Sequence, residues 1–208
     1  MFGLGKSDLD KGIDAFQQKL WKRARKHLED ASKEPTTTGD YHLGLLLWRG
    51  LGGERDAHAA VQCFERAALH GHVAAQTAYG VALRSGIGVR KDIEEARKLF
   101  RSAAGGDDLE AMLQLSTLCE GEEQIRWLTR ASEMGHPGAM RALAELLLAS
   151  QPVDALGWLY ASAALAPTEE GRKRAAELAA ELSAEEIETA QKAGRRIVRD
   201  LRKGRGRG

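Results

Sequence analysis

The fold of this chain is decided by a stretch that occurs twice, first as YHLGLLLWRGLGGERDAHAAVQCFERAA (residues 41–68) and then as TAYGVALRSGIGVRKDIEEARKLFRSAA (residues 77–104). Glycine, aspartate, phenylalanine and alanine recur in the two copies at a constant offset of 36 residues. The matching pairs include Gly44/Gly80, Gly50/Gly86, Gly52/Gly88, Asp56/Asp92, Ala60/Ala96, Phe64/Phe100, Ala67/Ala103 and Ala68/Ala104. Periods of about 20–50 residues are typical of solenoids.

Each copy has the pattern of two helices joined by a glycine-rich turn. In the second helix the apolar residues fall at i, i+3, i+4 and i+7, which places them on one face. Asp56 and Asp92 precede these helices and are predicted N-caps, and Asp92 with Glu95 has the spacing of a capping box. Gly50 and Gly86 are predicted to end the first helices in the left-handed conformation.

The repeat also predicts which residues form the core. Phe64 and Phe100 lie on the apolar stripes and are predicted to be central to their repeats. Gly44 and Gly80 fall inside the first helices, where glycine costs about 1 kcal/mol in helix propensity. We expect the second helix to approach closely at these glycines, with the paired alanines opposite them.

The same register extends beyond the two clear copies. A third and a fourth copy follow, and both are shortened in the glycine turn. We therefore predict an all-α protein, a right-handed α/α superhelical solenoid of helix-turn-helix repeats with about twelve helices and no sheet. The predicted segments are an N-terminal capping helix pair within residues 1–36 (near Asp8–Lys33), four repeats over residues 37–167, C-terminal capping helices over residues 168–203 and a flexible basic tail over residues 204–208.

These repeats resemble the Sel1-like repeat family, a relative of the tetratricopeptide repeats. The family pattern of Leu-Gly, Gly-x-Gly-Val, Asp, an aromatic and Ala-Ala is clearest in the second copy, with Gly86-Ile87-Gly88-Val89 followed by Asp92. The segment SAEEIETAQ (residues 183–191) is similar to one that often follows the last repeat in bacterial members. The resemblance implies a scaffold for protein–protein contacts: a bacterial adaptor or regulator, a chaperone or an immunity protein.

Composition and motifs exclude several other classes of protein. The chain has 31 Lys+Arg, 30 Asp+Glu and 43% hydrophobic residues, as expected for a globular protein with a core. Two cysteines are too few for a disulfide framework, and no apolar run reaches the roughly 18 residues of a membrane span. We therefore expect a cytoplasmic protein without a membrane segment. No P-loop, H-E-x-x-H or C-x-x-C motif occurs, which predicts no enzyme activity, no cofactor and no metal site.

The histidines and cysteines receive structural interpretations. His70 and His72 flank a glycine between the first two copies and are predicted to lie in a solvated loop, because a stable metal site usually needs three or four ligands. Cys63 and Cys119 fall on core-facing positions and are predicted to be small buried hydrophobes.

The candidate binding site follows from the resemblance. In tetratricopeptide repeats a fixed set of positions in each first helix lines the concave face, and the same positions here predict a protein or peptide partner bound there. The predicted set is Tyr41, Leu45, Trp48, Arg49, Thr77, Val81, Arg84, Glu110, Leu113, Thr117, Arg141 and Glu145. Tyr41, Trp48 and Arg49 are of the residue types that dominate binding hot spots. Arg49 and Arg84 predict an acidic partner segment, whereas the alternative for Trp48 is packing between repeats.

A basic C-terminus supports a second hypothesis. Residues 192–208 hold eight basic residues and one acid, a net charge of +7. The candidate phosphate-binding residues are Arg195, Arg196, Arg199, Arg202 and Lys203. Basic clusters bind nucleic acid by releasing counterions, which makes a nucleic-acid-associated protein the alternative function. No aromatic residue interleaves the tail, so nucleic acid is less favoured than a protein partner, and a solvated terminal helix is the simpler interpretation. The sequence leaves the oligomeric state open.

Overall fold

The computed structural model describes residues 7–32 and 36–205, and within these ranges the chain forms twelve α-helices and no β-strand. They are α1 (Asp8–Gln17), α2 (Trp21–Ala31), α3 (Thr37–Arg49), α4 (Ala57–Leu69), α5 (Val73–Ser85), α6 (Ile93–Gly105), α7 (Leu109–Ser116), α8 (Gly121–Glu133), α9 (Pro137–Leu147), α10 (Pro152–Leu165), α11 (Glu169–Ala179) and α12 (Ala184–Arg205). The prediction of an all-α chain of about twelve helices is confirmed. Of the segments predicted at the termini, residues 1–6, 33–35 and 206–208 lie outside the described residues.

The described helices pack into two compact units that divide between Ala111 and Met112, inside α7. In the first unit α1 packs on α2, α3 on α4, and α5 on α6, so that each predicted helix pair is a hairpin. In the second unit α9 contacts α8 and α10, and α10 contacts α11 and α12. No helix in the described ranges combines the length and the apolar character that crossing a bilayer requires.

The core of the first unit contains the predicted phenylalanines. Phe64 and Phe100 are 2% and 0% exposed, so their predicted central positions are confirmed. The interpretation of the helical glycines needs a correction, because the residues opposite them are the phenylalanine rings and not the paired alanines. A Cβ atom added to Gly44 would lie 2.5 Å from Phe64 Cε1, and one added to Gly80 would lie 2.7 Å from Phe100 Cε1. The absence of a side chain at each glycine makes room for the aromatic ring of the same hairpin.

The predicted helix ends are largely as expected. Gly50 and Gly86 have φ angles of 67° and 72° and end α3 and α5 in the left-handed conformation. Asp56 and Asp92 accept hydrogen bonds from backbone N–H groups three residues later and cap α4 and α6. The capping box at Asp92 does not form, because the Glu95 carboxylate accepts from Lys98 and the Asp92 N–H donates to the Leu83 carbonyl.

Each glycine turn of the first two repeats also rests on the hairpin before it. A Cβ added to Gly52 would collide with the backbone carbonyl of Trp21, at the start of α2. A Cβ added to Gly88 would collide with the carbonyl of Ala57, at the start of α4. Trp21 and Ala57 are one repeat period apart, so the same contact occurs twice. We refer to this contact, between a glycine turn and the first carbonyl of the second helix in the preceding hairpin, as the joint.

In the second unit α12 lies against α10 at a pair of glycines. A Cβ added to Gly194 of α12 would lie 2.9 Å from the Gly157 carbonyl of α10, so the two backbones approach closely. Val198 continues this contact and joins a cluster with Met140 and Ala161. The helix runs to Arg205, two residues beyond its predicted end at Lys203.

Candidate binding groove

A groove of about 280 Å³ lies on the first unit, between α3, α5 and the start of α7. We refer to it as the α3–α5 groove. Seven residues of the predicted concave set line it, namely Tyr41, Leu45, Trp48, Arg49, Thr77, Val81 and Glu110. Ala74, which also falls at a predicted concave position of the second repeat, lines it too, and the structure adds Phe64, Ala78 and Asp108. Side chains that are distant in sequence are thus brought together on one surface of the first unit.

Helical spacing explains which residues of α3 and α5 face the groove. The lining residues of α3 lie at i, i+4, i+7 and i+8 from Tyr41, and those of α5 lie at i, i+3, i+4 and i+7 from Ala74. Residues with these spacings share one face of a helix. The other faces carry buried residues such as Leu46 and Ala82, which hold the two helices in the core.

Aromatic side chains form one part of the groove. The Trp48 ring is half-buried, with its centroid 6.2 Å from that of Phe64, and the Arg55 guanidinium lies 5.5 Å from the indole centroid. Tyr41 stacks on His72 at a centroid distance of 4.4 Å. Within the described ranges, the Tyr41 hydroxyl and the Trp48 indole N–H make no hydrogen bond to the protein. Both groups are therefore available to a ligand.

Charged groups of both signs border the aromatic residues. Arg49 is exposed, and no ion-pair partner for it exists among the described residues. Asp108 Oδ1 accepts from the Thr77 hydroxyl at 2.9 Å and from the Ala111 N–H at 2.8 Å, which holds this carboxylate in place. Burial and then the Asp108 charge raise the pKa of Tyr41, while Arg49 lowers it. The Tyr41 hydroxyl is consequently neutral at physiological pH.

Of the predicted residues of the second repeat, Thr77 lines the groove as a largely buried residue, and Arg84 does not line it. Thr77 is only 6% exposed, and its hydroxyl is engaged by Asp108, so it forms part of the groove wall. Arg84 is half-buried and is not one of the residues that line the groove. The positive charge of the lining comes from Arg49, and Asp108 and Glu110 bring negative charge.

The predicted contact residues of the fourth repeat make internal contacts in the second unit. Arg174 donates to both carboxylate oxygens of Glu145 at 2.8 and 2.9 Å, which lowers the pKa of Glu145. Arg141 donates to the Ser162 hydroxyl at 3.2 Å. These contacts join residues 21 to 29 positions apart, and the repeat pattern does not predict them.

Leu113 and Thr117, the predicted contacts of the third repeat, also belong to the second unit. Leu113 is half-buried, and the Thr117 hydroxyl donates to the Gln114 carbonyl at 2.7 Å. Neither residue lines the α3–α5 groove.

The predicted basic residues of the C-terminal segment divide between two sides of α12. Arg195, Arg199, Arg202 and Lys203 line a cavity of about 740 Å³ beside α10. Arg196 lies on the other side, at a second cavity of about 620 Å³. All five belong to a well-formed helix.

The histidines and cysteines that the sequence analysis considered make contacts within the protein, and the position of one of them, His72, differs from the prediction. His72 is not in a solvated loop: it is half-buried, and its Nδ1 accepts from the Ala75 N–H at 3.2 Å as the N-cap of α5. His70 is exposed and contacts a carbonyl in the last turn of α4. Cys63 and Cys119 are buried, as predicted, and burial raises the pKa of the Cys63 thiol. Across residues 7–32 and 36–205, no three His, Cys, Asp or Glu side chains are grouped as metal ligands.

Reasoning from the sequence did not place Asp108, Phe64 or Ala78 in the groove. Asp108 directly precedes α7 and caps it, so an aspartate before an apolar helix was the available signal. Phe64 was assigned to the core, and that assignment is correct, but part of its ring also reaches the groove.

The helix hairpins and the groove define a class of protein, the α/α repeat scaffolds. Within that class, the Sel1 repeat family matches residues 39–72, 73–108 and 125–136. Over these residues the chain therefore carries Sel1-like repeats.

Comparison with solved structures supports the same fold. The Sel1 repeat protein from Oxalobacter formigenes superimposes with a TM-score of 0.76, at 23% identity, over 92% of this chain and 83% of that one. The protective antigen c5321 of uropathogenic Escherichia coli strains, which displays an SLR fold, superimposes with a TM-score of 0.59, at 15% identity, over 92% of this chain and 53% of that one. These likenesses show an all-α solenoid fold.

A sequence relative comes from a much longer protein. Chitin synthase regulatory factor 3 of Schizosaccharomyces pombe is 28% identical over 116 residues. The match covers 51% of this chain and 12% of that protein.

Proposed function

We propose that this protein is a non-catalytic scaffold that holds a peptide segment of a partner protein in the α3–α5 groove. Sel1 repeat proteins generally bind other proteins. The observation that carries the proposal is that Tyr41, Trp48 and Arg49 meet in one groove, and that no other described residue hydrogen-bonds or pairs with their polar groups. Tyrosine, tryptophan and arginine are the side chains that most often supply binding energy at interfaces.

The charges of the groove indicate the chemistry of that segment. Arg49 favours a carboxylate on the partner, whereas Asp108 and Glu110 on the other wall favour a cation. A segment with an acidic and a basic side chain around an apolar residue satisfies both walls, because charge complementarity selects partner and register. We therefore propose a partner segment with charges of both signs in place of the purely acidic segment that Arg49 and Arg84 predicted.

The biological role is that of an adaptor or regulator in the cytoplasm. A regulatory role is supported by the likeness to a chitin synthase regulatory factor, and both cysteines are free thiols, as is usual in reducing compartments. Chaperone and immunity roles use the same kind of contact, and the identity of the partner distinguishes them.

The proposal is tested with the variant Tyr41→Phe/Arg49→Glu, which retains both rings and the core. The partner is first identified by cross-linking to the parent protein in native extract and mass spectrometry, and its affinity is then measured by calorimetry. We expect the variant to keep its helical circular dichroism and to bind at least about tenfold more weakly, because it loses a hydroxyl contact and reverses a charge.

The matched control is Leu69→Ala/Arg90→Ala, which removes an exposed apolar residue and an exposed arginine of the same unit outside the groove. This control should bind with parental affinity. Parental binding by the Tyr41→Phe/Arg49→Glu variant would show that the contact surface lies elsewhere.

A further inference from the structure

The long helix α12 presents a second groove that the scaffold proposal does not use. One face of α12 lies beside Tyr160 and Ala164 of α10. This face consists of Gln191, Gly194, Arg195, Val198, Arg199, Arg202 and Lys203. The close backbone contact of Gly157 and Gly194 holds the two helices together, so the groove has fixed walls. We refer to this cavity of about 740 Å³ as the α10–α12 groove.

The floor of the α10–α12 groove is apolar. Val198 is buried, Tyr160 is half-buried, and Ala164 is exposed. The rim consists of four cations, Arg195, Arg199, Arg202 and Lys203, and no carboxylate is among the residues that line the groove. An apolar floor with a rim of one charge is typical of a recognition surface for an amphipathic segment of the opposite charge.

The rim charges are hardly neutralised by the protein itself. Arg199 pairs with Asp200 at 3.5 Å, and both side chains are more than half exposed. Glu188, which pairs with Lys192 at 2.7 Å, is close enough to Arg195 for that arginine to contribute to lowering its pKa. Among the described residues, Arg202 and Lys203 have no ion-pair partner within 4.0 Å. On the other side of α12, Arg196 lies in a cavity lined also by the carboxylates of Glu133, Asp154 and Asp200, so the uncompensated positive charge belongs to one face.

The helix dipole explains only part of this arrangement. Cations in the last turn of a helix are favoured by the dipole, which accounts for Arg202 and Lys203 near the end of α12 at Arg205. Arg195 and Arg199 lie further from the end, where the dipole effect has faded. Their alignment with the apolar floor therefore calls for a different explanation.

We propose that the α10–α12 groove binds an acidic amphipathic helix of a partner protein. From Gln191 to Lys203 the groove is about 18 Å long, which is room for about three helical turns. Leucine-type side chains of the bound helix lie on Val198, Tyr160 and Ala164, and its Asp or Glu residues meet the four rim cations. Nucleic acid fits this surface less well, because Tyr160 is the single aromatic residue among those that line the groove, and binding of single strands relies on several stacking platforms.

The test uses fluorescence anisotropy with four labelled probes and the full chain. The probes are an amphipathic Leu/Glu helix of about three turns, its Leu/Lys counterpart, an oligoglutamate of equal negative charge and an oligothymidylate of equal negative charge. We expect the Leu/Glu helix to bind at least about tenfold more tightly than the other three, and the affinity to fall as salt rises.

Two variants with the same change in net charge locate the site. Arg195→Glu/Arg199→Glu/Arg202→Glu reverses the rim, and we expect it to weaken the Leu/Glu helix by at least about tenfold, since three exposed ion pairs become repulsions. Arg172→Glu/Lys173→Glu/Arg196→Glu reverses three cations of the same unit outside the groove and should leave the affinity within about twofold of the parent. Ala164→Gln, at an exposed position of the floor, tests the apolar contact without changing charge and should also weaken binding.

Each contrary result overturns the proposal in a distinct way. Tighter binding of the oligothymidylate, lost in the rim variant, assigns the groove to nucleic acid. If oligoglutamate binds as tightly as the Leu/Glu helix, the binding depends on net charge alone and not on an amphipathic helix. The same conclusion follows if both triple variants lose the same affinity for the Leu/Glu helix. Failure of the parent to bind the Leu/Glu helix at low salt removes the proposed partner class. None of these results bears on the α3–α5 groove, whose test uses a different unit.

Discussion

Asp40 is a buried charge of the first unit, only 3% exposed. It lies in α3, and the Arg66 guanidinium of α4 donates to its Oδ1 at 2.6 and 3.2 Å, so the pair bridges one hairpin. The hydrogen bond to Asp40 raises the pKa of Arg66. The repeat pattern gives no sign of this pair, because the equivalent residues one period later are Gln76 and Ser102.

Replacing Arg66 with methionine should destabilise the protein by about 2 kcal/mol. The substitution leaves a buried carboxylate without its partner, and the figure is below that for a fully buried pair because Arg66 is partly exposed. Urea unfolding followed by circular dichroism measures the change. The double variant Asp40→Leu/Arg66→Met should recover most of the loss, and a double variant as unstable as the single one would contradict this explanation.

At the scale of the helices, histidine caps two of the repeats. Aspartate N-caps such as Asp56 and glycine ends such as Gly50 were predictable because their chemistry is local to a few residues. The N-caps of α5 and α9 are His72 and His136, each through Nδ1. Histidine is rarely read as a cap, and the contact of His72 with Tyr41 comes from tertiary packing, which local spacing does not reveal.

The cap of α5 should make stability depend on pH. Burial and then His42 lower the pKa of His72, so the folded state favours the neutral ring that accepts the Ala75 N–H. This contribution is fully present above the ordinary histidine value of 6.5 and is lost as pH falls below it toward the lowered folded-state pKa. We expect His72→Asn, which caps without titrating, to lose less thermal stability than the parent between about pH 8 and about pH 5.

The comparison of the two pH profiles isolates His72 together with its interaction with His42, because the other titrating residues are common to both proteins. Loss of the Tyr41 stacking shifts the whole profile of the variant by a constant amount. Parallel profiles for parent and variant would rule out a pH-dependent cap.

At the scale of the molecule, the 36-residue period predicted the hairpins of the first unit, since a regular repeat places equivalent positions on equivalent faces. The resemblance to tetratricopeptide repeats supplied seven of the residues that line the α3–α5 groove. The 36-residue period predicted fewer of the contacts in the second unit. There the glycine turn is lost, and contacts such as Glu145 with Arg174 depend on the capping helices, whose sequences do not follow the period. The grooves beside α12 likewise depend on how α12 packs on α10.

Removing the central ring of one repeat should separate the two units during unfolding. Phe64→Ala removes a ring that is only 2% exposed, which costs about 3–5 kcal/mol. Residues 112–208 keep their own core, so we expect the urea transition to broaden as well as to shift. Leu69→Ala, at a position 79% exposed, is the control and should leave the transition unchanged. A Phe64→Ala variant that melts within about a degree of the parent would contradict the prediction.

The joint between each glycine turn and the hairpin before it has a consequence for the ancestry of such chains. A tandem copy of one 36-residue segment of the gene inherits both halves of the joint, the glycine turn and the carbonyl on which it rests. The newly copied repeat therefore meets its predecessor and its successor through contacts that already exist, wherever in the period the copy begins. Between α7 and α8 the chain reads Thr117-Leu118-Cys119-Glu120 in place of the glycine turn, so a copy of that segment lacks one half of the joint. Lengthening by duplication is thus favoured in the part of the gene that encodes the first two repeats.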